Sequence, residues 1–349
     1  MYNPHMRIIL GCVCACIGFL GVAPAAAQGT AAALAADPAC QTLTPAAAGG
    51  TLPRGRSVLV LRWLGIANYE LSYRGTVILL DAAWSRTAPA RPVGFGAADA
   101  KRANAIMIGH GHGDHVWDVI AAAKQTGAPV FGGPQVVDYL KAQGIPDAQI
   151  KPAAAAGVVK FDGFTVEPIL YRHSPGRPPA VQTAMSAYEK AFAEIIRTRT
   201  PQEEKEWEAI GDRSGPGQGI DQTGTYAYLF TFDNGFRLLY TDTAGPPTDA
   251  LKAAISKTGS LDVTMVGYQG RFLAARQNDE SLPIIRLTKP RFVVPTHHDD
   301  EGGGARPDMP IYPLAMAIRD ELPATRTISP LYRSPICFDT ATKDYFLGL

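Results

Sequence analysis

Short apolar runs, punctuated by turn residues, organise this chain into two rounds of strands and helices. The first round opens with strands predicted at 57–63, 67–73 and 75–81, rich in β-branched and aromatic residues and separated by turn glycines. NAIMIG (104–109) reads as a short, wholly apolar strand. Asp114 and His115 open a helix predicted to run to about Gln125, where Gly127 and Pro129 halt it, and Pro134 suits the first turn of the next helix. Strands at 157–161 and 163–171 follow. The second round begins with a hairpin, 225–232 and 235–241, whose faces alternate around Asp233-Asn234-Gly235. A helix over 248–258, a strand at 261–266, a helix near 280–288 and the strand RFVVP (291–295) complete it.

An insertion at 174–222 separates the two rounds. It starts Pro-rich, from Ser174 to Pro179, and then places Met185, Tyr188, Phe192 and Ile195 at helical spacing. Thr200-Pro201-Gln202-Glu203 forms a capping box with proline at the first helical position, starting a helix through Trp207. The Gly-rich stretch GDRSGPGQG closes the insertion. Two readings stand: a substrate lid with an aromatic face, or a helical hairpin packed on the domain or on another subunit. The insertion is also where membrane contact is conceivable.

Composition narrows the picture. The 349 residues are 46% apolar and 19% charged, which suits one large domain with a sizeable core. That domain is expected over 54–349. Arg7, the apolar stretch IILGCVCACIGFLGV and the segment APAAAQG describe a secretory signal peptide at 1–27, cleaved after Ala27. The destination is then the periplasm or the exterior. Residues 28–53, rich in Ala, Thr, Pro and Gly, read as a flexible leader. Loss of Arg7 leaves 32 Lys+Arg against 32 Asp+Glu, so no net charge attracts nucleic acid or an anionic membrane over long range. Cys12, Cys14 and Cys16 leave with the signal. Cys40 and Cys337 remain, either as one disulfide tying the N-terminal tail to the C-terminal segment or as two separate thiols.

The candidate chemistry lies in the histidines. Six of the seven fall in or beside one ordered set: His110-Gly-His112-Gly-Asp114-His115, then His173 after TVEPILYR, Asp242 after FRLLYT, and His297-His298 after RFVVPT. Each follows an apolar run, where a strand meets a loop. Neutral imidazole and carboxylate suit Zn²⁺ best, with Mn²⁺ or Fe²⁺ served by the same donors. Donors that each terminate a strand can converge on one sheet edge, as metal-assisted hydrolysis requires. Two α/β halves supplying donors from one edge imply a four-layer αβ/βα sandwich carrying the helical insertion.

This ordered pattern resembles the metallo-β-lactamase superfamily. The resemblance covers roughly residues 57 to 300, including VLRWLGIANYELSYRGTVILLDAAW as an opening hairpin that ends at Asp81. It implies two divalent metal ions. His110, His112 and His173 would hold the first; Asp114, His115 and His297 the second; Asp242 would bridge them. His297 fits the family's spacing after a strand and a proline, and His298 remains an alternative last ligand or an acid for a leaving group. Asp81 would buttress the metal loop. Gly109 departs from the Thr or Ser the family often places before the first histidine. Tyr268, Gln269 and Arg271 follow another strand end and are weak candidates for substrate contact.

The implied chemistry is attack by a metal-activated hydroxide, with Asp114 essential to it, on an ester, lactone, amide or phosphodiester of a small molecule or lipid. WLGIANYEL with the early Asp81 looks most like the branch holding ascorbate-phosphate lactonase and a phospholipase D-type phosphodiesterase. Asp242 argues against β-lactam hydrolysis, and His112 stands where an oxygen-reducing di-iron relative carries a carboxylate. The contrasting reading is a non-catalytic metal-binding or scaffold module of the same fold.

Overall fold

The computed structural model describes residues 25–86, 90–175, 200–212, 224–268, 278–299 and 310–348. β1 (Val58–Trp63), β2 (Tyr69–Tyr73) and β3 (Thr76–Leu80) form an antiparallel meander. β4 (Ala105–Met107), β5 (Val130–Gly132) and β6 (Ile150–Pro152) extend it in parallel. A second sheet runs antiparallel through β7 (Val159–Phe161), β8 (Phe164–Tyr171), β9 (Thr225–Phe232) and β10 (Arg237–Tyr240). It continues in parallel through β11 (Val263–Gly267), β12 (Phe292–Thr296) and β13 (Arg326–Thr327). The chain then returns to the first sheet. β14 (Pro335–Asp339) pairs antiparallel with β1, and β15 (Tyr345–Leu347) with β14.

Strand alternation sorts the side chains into layers. Leu59, Leu61, Ile78 and Leu80 of the first sheet meet Phe164, Tyr228, Phe230, Leu238 and Tyr240 of the second in one core. Val77 and Leu79, one residue out of phase, pack outward on α3 (Val119–Thr126) and α4 (Pro134–Ala142) through Val119, Ala122, Val136 and Leu140. On the other side Leu229, Leu239 and Val266 pack on α7 (Asp249–Thr258), α8 (Leu282–Thr288) and α9 (Tyr312–Glu321). The result is the four-layer helix–sheet–sheet–helix sandwich expected. Being covered on both faces explains why β1 and β3 read as nearly unbroken apolar runs. Four further helices, α1 (Ala25–Ala36), α2 (Gly113–Val116), α5 (Ala153–Ala156) and α6 (Pro201–Asp212), complete the described α-helices.

Two expectations need correction. The helix predicted from Asp114 to about Gln125 is two helices, α2 and α3, parted at Trp117-Asp118. Asp118 uses its carboxylate elsewhere, accepting the amides of Trp84 at 2.6 Å and Ser85 at 2.7 Å, which ties β3's exit to the metal-loop helix. The segment 28–53 is not a flexible leader. Asp37 accepts the amides of Ala39, Arg54 and Gly55. Cys40 is bonded to Cys337, settling that alternative in favour of the disulfide. Glu70 accepts the amides of Ala46 and Ala47 at 2.9 and 2.6 Å and pairs with Arg62 at 3.0 Å, both side chains fully buried. Replacing Glu70 by alanine should strand the Arg62 guanidinium in the core and lower stability by about 3–5 kcal/mol. A denaturant midpoint equal to that of the parent would disprove the anchor.

Within the insertion, the predicted capping box is present. The amide of Glu203 donates to Thr200 Oγ1 at 3.3 Å and the amide of Thr200 to Glu203 Oε2 at 2.7 Å, at the start of α6. Met185, Tyr188, Phe192, Ile195 and most of the Gly-rich stretch lie outside the described residues, and with them most of the expected lid. Most of the predicted signal segment, residues 1–24, lies outside them too.

Candidate metal centre

All the donors leave their strands at the same edge of the sandwich. His110 and His112 follow β4, and Asp114 and His115 ride on α2 directly after it. His173 follows β8, Asp242 follows β10, and His297 follows β12. The fold gathers them into three sets whose donor atoms lie within 4.8 Å of one another: His110, His112 and His173; His110, His115 and Asp242; Asp114, His115 and His297. The first and third match the two groups implied by the resemblance, and Asp242 falls with a member of each. His110 Nδ1 is 2.5 Å from Asp242 Oδ2, His110 Nε2 is 3.0 Å from His112 Nδ1, and His297 Nε2 is 3.0 Å from Asp114 Oδ2. His110, His115, Asp242 and His297 are buried, whereas His112, Asp114 and His173 are half-buried and form the open side.

Asp81 organises this edge from below. Its Oδ1 accepts the amide of Gly109 at 2.9 Å. Its Oδ2 accepts the hydroxyl of Tyr240 at 2.7 Å and lies 2.7 Å from His115 Nδ1. With Nδ1 engaged, His115 presents Nε2 to Asp114, 3.7 Å away. Asp81 and His297 both hold the left-handed backbone region, at φ 57° each. They are pinned there by hydrogen bonds from the Asp81 amide to Met107 O and from the His297 amide to Ile66 O. Gly109 leaves room for a carboxylate: a Cβ there would stand 2.1 Å from Asp242 Cγ.

The electrostatics suit a cation. Burial holds the His110 imidazole well below its usual range, with His115 and His173 adding to the effect. Burial and the neighbouring His110 push His112 down to about 3. Both are thereby kept in the neutral form that ligates metal. Burial and the neighbouring Asp242 raise Asp81 to about 6. Burial opposes a charge on His115, yet Asp114, Asp81 and Asp242 together raise it to about 10. The carboxylates thus call for positive charge, which a divalent ion supplies in place of that proton. Asp242 Oδ1, in the set that joins His110 to His115, is buried without a hydrogen-bond partner. The residues present fit a pair of divalent cations.

Other expected site residues fall differently. His298 belongs to none of the donor sets; its ring stacks on Trp63 with centroids 4.3 Å apart. Tyr268 is fully buried in the cluster beneath α7 to α9, so it offers no surface to a substrate, contrary to expectation. Its strand-end position suggested exposure, but its ring points into the apolar layer. Gln269 and Arg271 lie outside the described residues. Sequence reasoning missed Tyr240, although it sits two residues before Asp242 and therefore on the same strand face. Changing Tyr240 to phenylalanine should free Asp81 from one partner and weaken metal retention by about 10–100-fold. Chelator competition reads this directly, and unchanged retention would show that the hydroxyl does not orient the cluster.

The model of the beta-lactamase superfamily domain matches residues 76–298. A metal-dependent hydrolase of Brucella anthropi is 34% identical over 114 residues, 33% of this chain and 47% of that protein. A metal-dependent hydrolase of Agrobacterium fabrum is 34% identical over 110 residues, 30% of this chain and 44% of that one. The chain therefore spans about half the length of these relatives. A longer match, 25% identical over 266 residues, covers 74% of the chain and 82% of a metal-dependent hydrolase of Cupriavidus necator. Among solved structures, a metallo-hydrolase of the archaeon Ignicoccus hospitalis superposes with a TM-score of 0.54 at 14% identity, covering 80% of this chain and 98% of its own. An isothiocyanate hydrolase from Delia radicum gut bacteria does so with a TM-score of 0.50 at 13% identity, over 80% and 99%. With its ordered donors gathered at one edge of a four-layer sandwich, the chain belongs to the metallo-β-lactamase superfamily.

Proposed function

We propose that the protein is a metal-dependent hydrolase that cleaves an ester, lactone or phosphodiester of a small molecule or lipid with a pair of divalent ions, zinc first among them. The observation that carries this reading is the Asp242 carboxylate. It lies between two three-donor sets, with one oxygen buried and unpartnered. Bound there, divalent ions supply Lewis acidity and make hydroxide available near neutral pH. The chain's own residues do the rest. Asp81 and Tyr240 fix the tautomer of His115, and the half-buried His112, Asp114 and His173 leave one side open to substrate. His298, outside the donor sets and stacked on Trp63, serves as the acid for the leaving group. The N-terminal targeting pattern and the Cys40–Cys337 disulfide support a periplasmic or secreted location.

The test pairs elemental mass spectrometry with hydrolysis of a nitrophenyl phosphodiester and a nitrophenyl ester, using a His110→Ala control. About two metal equivalents and turnover, both reduced in the control, are expected. No metal after replenishment, or equal turnover in the control, would sink the reading.

A further inference from the structure

A pocket of about 570 Å³ opens beside His298, lined also by Trp63, Arg91, Tyr312, Leu331 and Tyr332. That volume falls in the range of small-molecule sites. Its inner wall is a stack of rings: His298 lies on Trp63, and Tyr332 packs against Trp63 with centroids 4.7 Å apart. The wall is fixed from behind. The Tyr332 hydroxyl donates at 2.6 Å to Asp299, a buried carboxylate that also accepts the Ile66 amide at 2.9 Å and pairs with Arg86 at 3.2 Å. Trp63 Nε1 and the His297 amide both donate to the Ile66 carbonyl, so the ring wall and the last metal donor hang from one peptide group.

The rim points to the occupant. Tyr312 and Leu331, 69% and 65% exposed, are the most exposed large apolar side chains among the described residues, and both line this pocket. The Arg91 guanidinium lies over the Tyr332 ring, 4.4 Å from its centroid. No acidic side chain lines the pocket among the described residues. Flat apolar walls with a cation at one end complement a flat ring with a negative charge at one end.

We propose that this pocket binds an aryl carboxylate, its ring against the Trp63–Tyr332–His298 wall and its carboxylate toward Arg91. As the acid-side subsite of a hydrolase it rests on the function proposed above; as a binding site it stands apart from it. A rigid ring loses less entropy here than a flexible acyl chain of similar size. The test is calorimetric titration of the full chain with benzoate, benzamide and hexanoate. Arg91→Gln and Tyr312→Ala, both at exposed positions, are titrated beside it, with the metal-site variant His110→Ala. Benzoate should saturate one site, with benzamide and hexanoate at least about fivefold weaker, and each rim variant should weaken benzoate about three- to tenfold. His110→Ala should bind benzoate as the parent does. Equal benzoate affinity in Arg91→Gln, or hexanoate binding as tightly as benzoate, would overturn the proposal. Benzoate binding by a protein that hydrolyses no ester would support the pocket while removing the hydrolase reading.

Discussion

A Gly109→Ala protein is expected to fold with reduced stability and to hold about one metal equivalent or less, with turnover lost. The added methyl would lie 2.1 Å from both Cγ and Oδ2 of Asp242, far inside any real contact. The backbone cannot easily retreat. The Gly109 amide donates to Asp81, and the Gly109 carbonyl accepts the Tyr226 amide at 2.7 Å. Asp242 must therefore move, and Asp242 lies in the set that joins His110 of one donor group to His115 of the other. Overpacking of this kind lowers stability by about 1–3 kcal/mol, whereas displacement of the shared carboxylate acts on the metals themselves. Thermal denaturation and elemental mass spectrometry separate the two effects. Full metal occupancy with unchanged turnover would refute the shared role of Asp242.

Asp114→Ala should remove one metal and leave the other. Asp114 lies with His115 and His297 in one set and outside the set of His110, His112 and His173. Groups one step removed from a metal are worth about 10–100-fold in affinity or activity, so a direct donor should be worth more than about 100-fold. The expected outcome is about one retained equivalent and a turnover loss of that size. Retention of two equivalents with full activity would show that Asp114 serves only as a partner for His297. Because Asp114 is half-buried and on a four-residue helix, its loss should hardly disturb the melting temperature of the metal-free protein.

The donors were legible because metal chemistry restricts residue type and sheet topology restricts position. A histidine or aspartate that ends an apolar run at a common edge has few other reasons to recur in that order. The four-layer core was legible for a similar reason, since strands covered on both faces read as nearly unbroken apolar stretches. Features held by long-range contacts were not legible. Residues 37–50 have a linker's composition, and it is contacts to Asp37, Glu70 and Arg102, the Cys40–Cys337 bond and the burial of Ala39, Ala46 and Ala47 that make them part of the domain. The break after α2 depends on Asp118 finding amides at Trp84 and Ser85, far away in sequence. The burial of Tyr268 depends on helices that pack over it. β14 is a short run whose partner, β1, lies near the other end of the chain, and β15 pairs in turn with β14.

That last pairing also governs how the molecule is assembled in time. β1 is an interior strand of its sheet only once β14 lies beside it, Val58 opposite Asp339 and Arg62 opposite Pro335. The linked cysteines are 297 residues apart, so at about 5–20 residues per second the ribosome takes about 15–60 s to deliver the second after the first. Throughout that interval the nascent chain carries an open strand edge and cannot complete its first sheet. Folding is therefore deferred until synthesis is nearly done. A nascent polypeptide of this design keeps β1 uncovered until its last strands are made, and one stopped short of Pro335 keeps both an uncovered β1 and an unpaired Cys40.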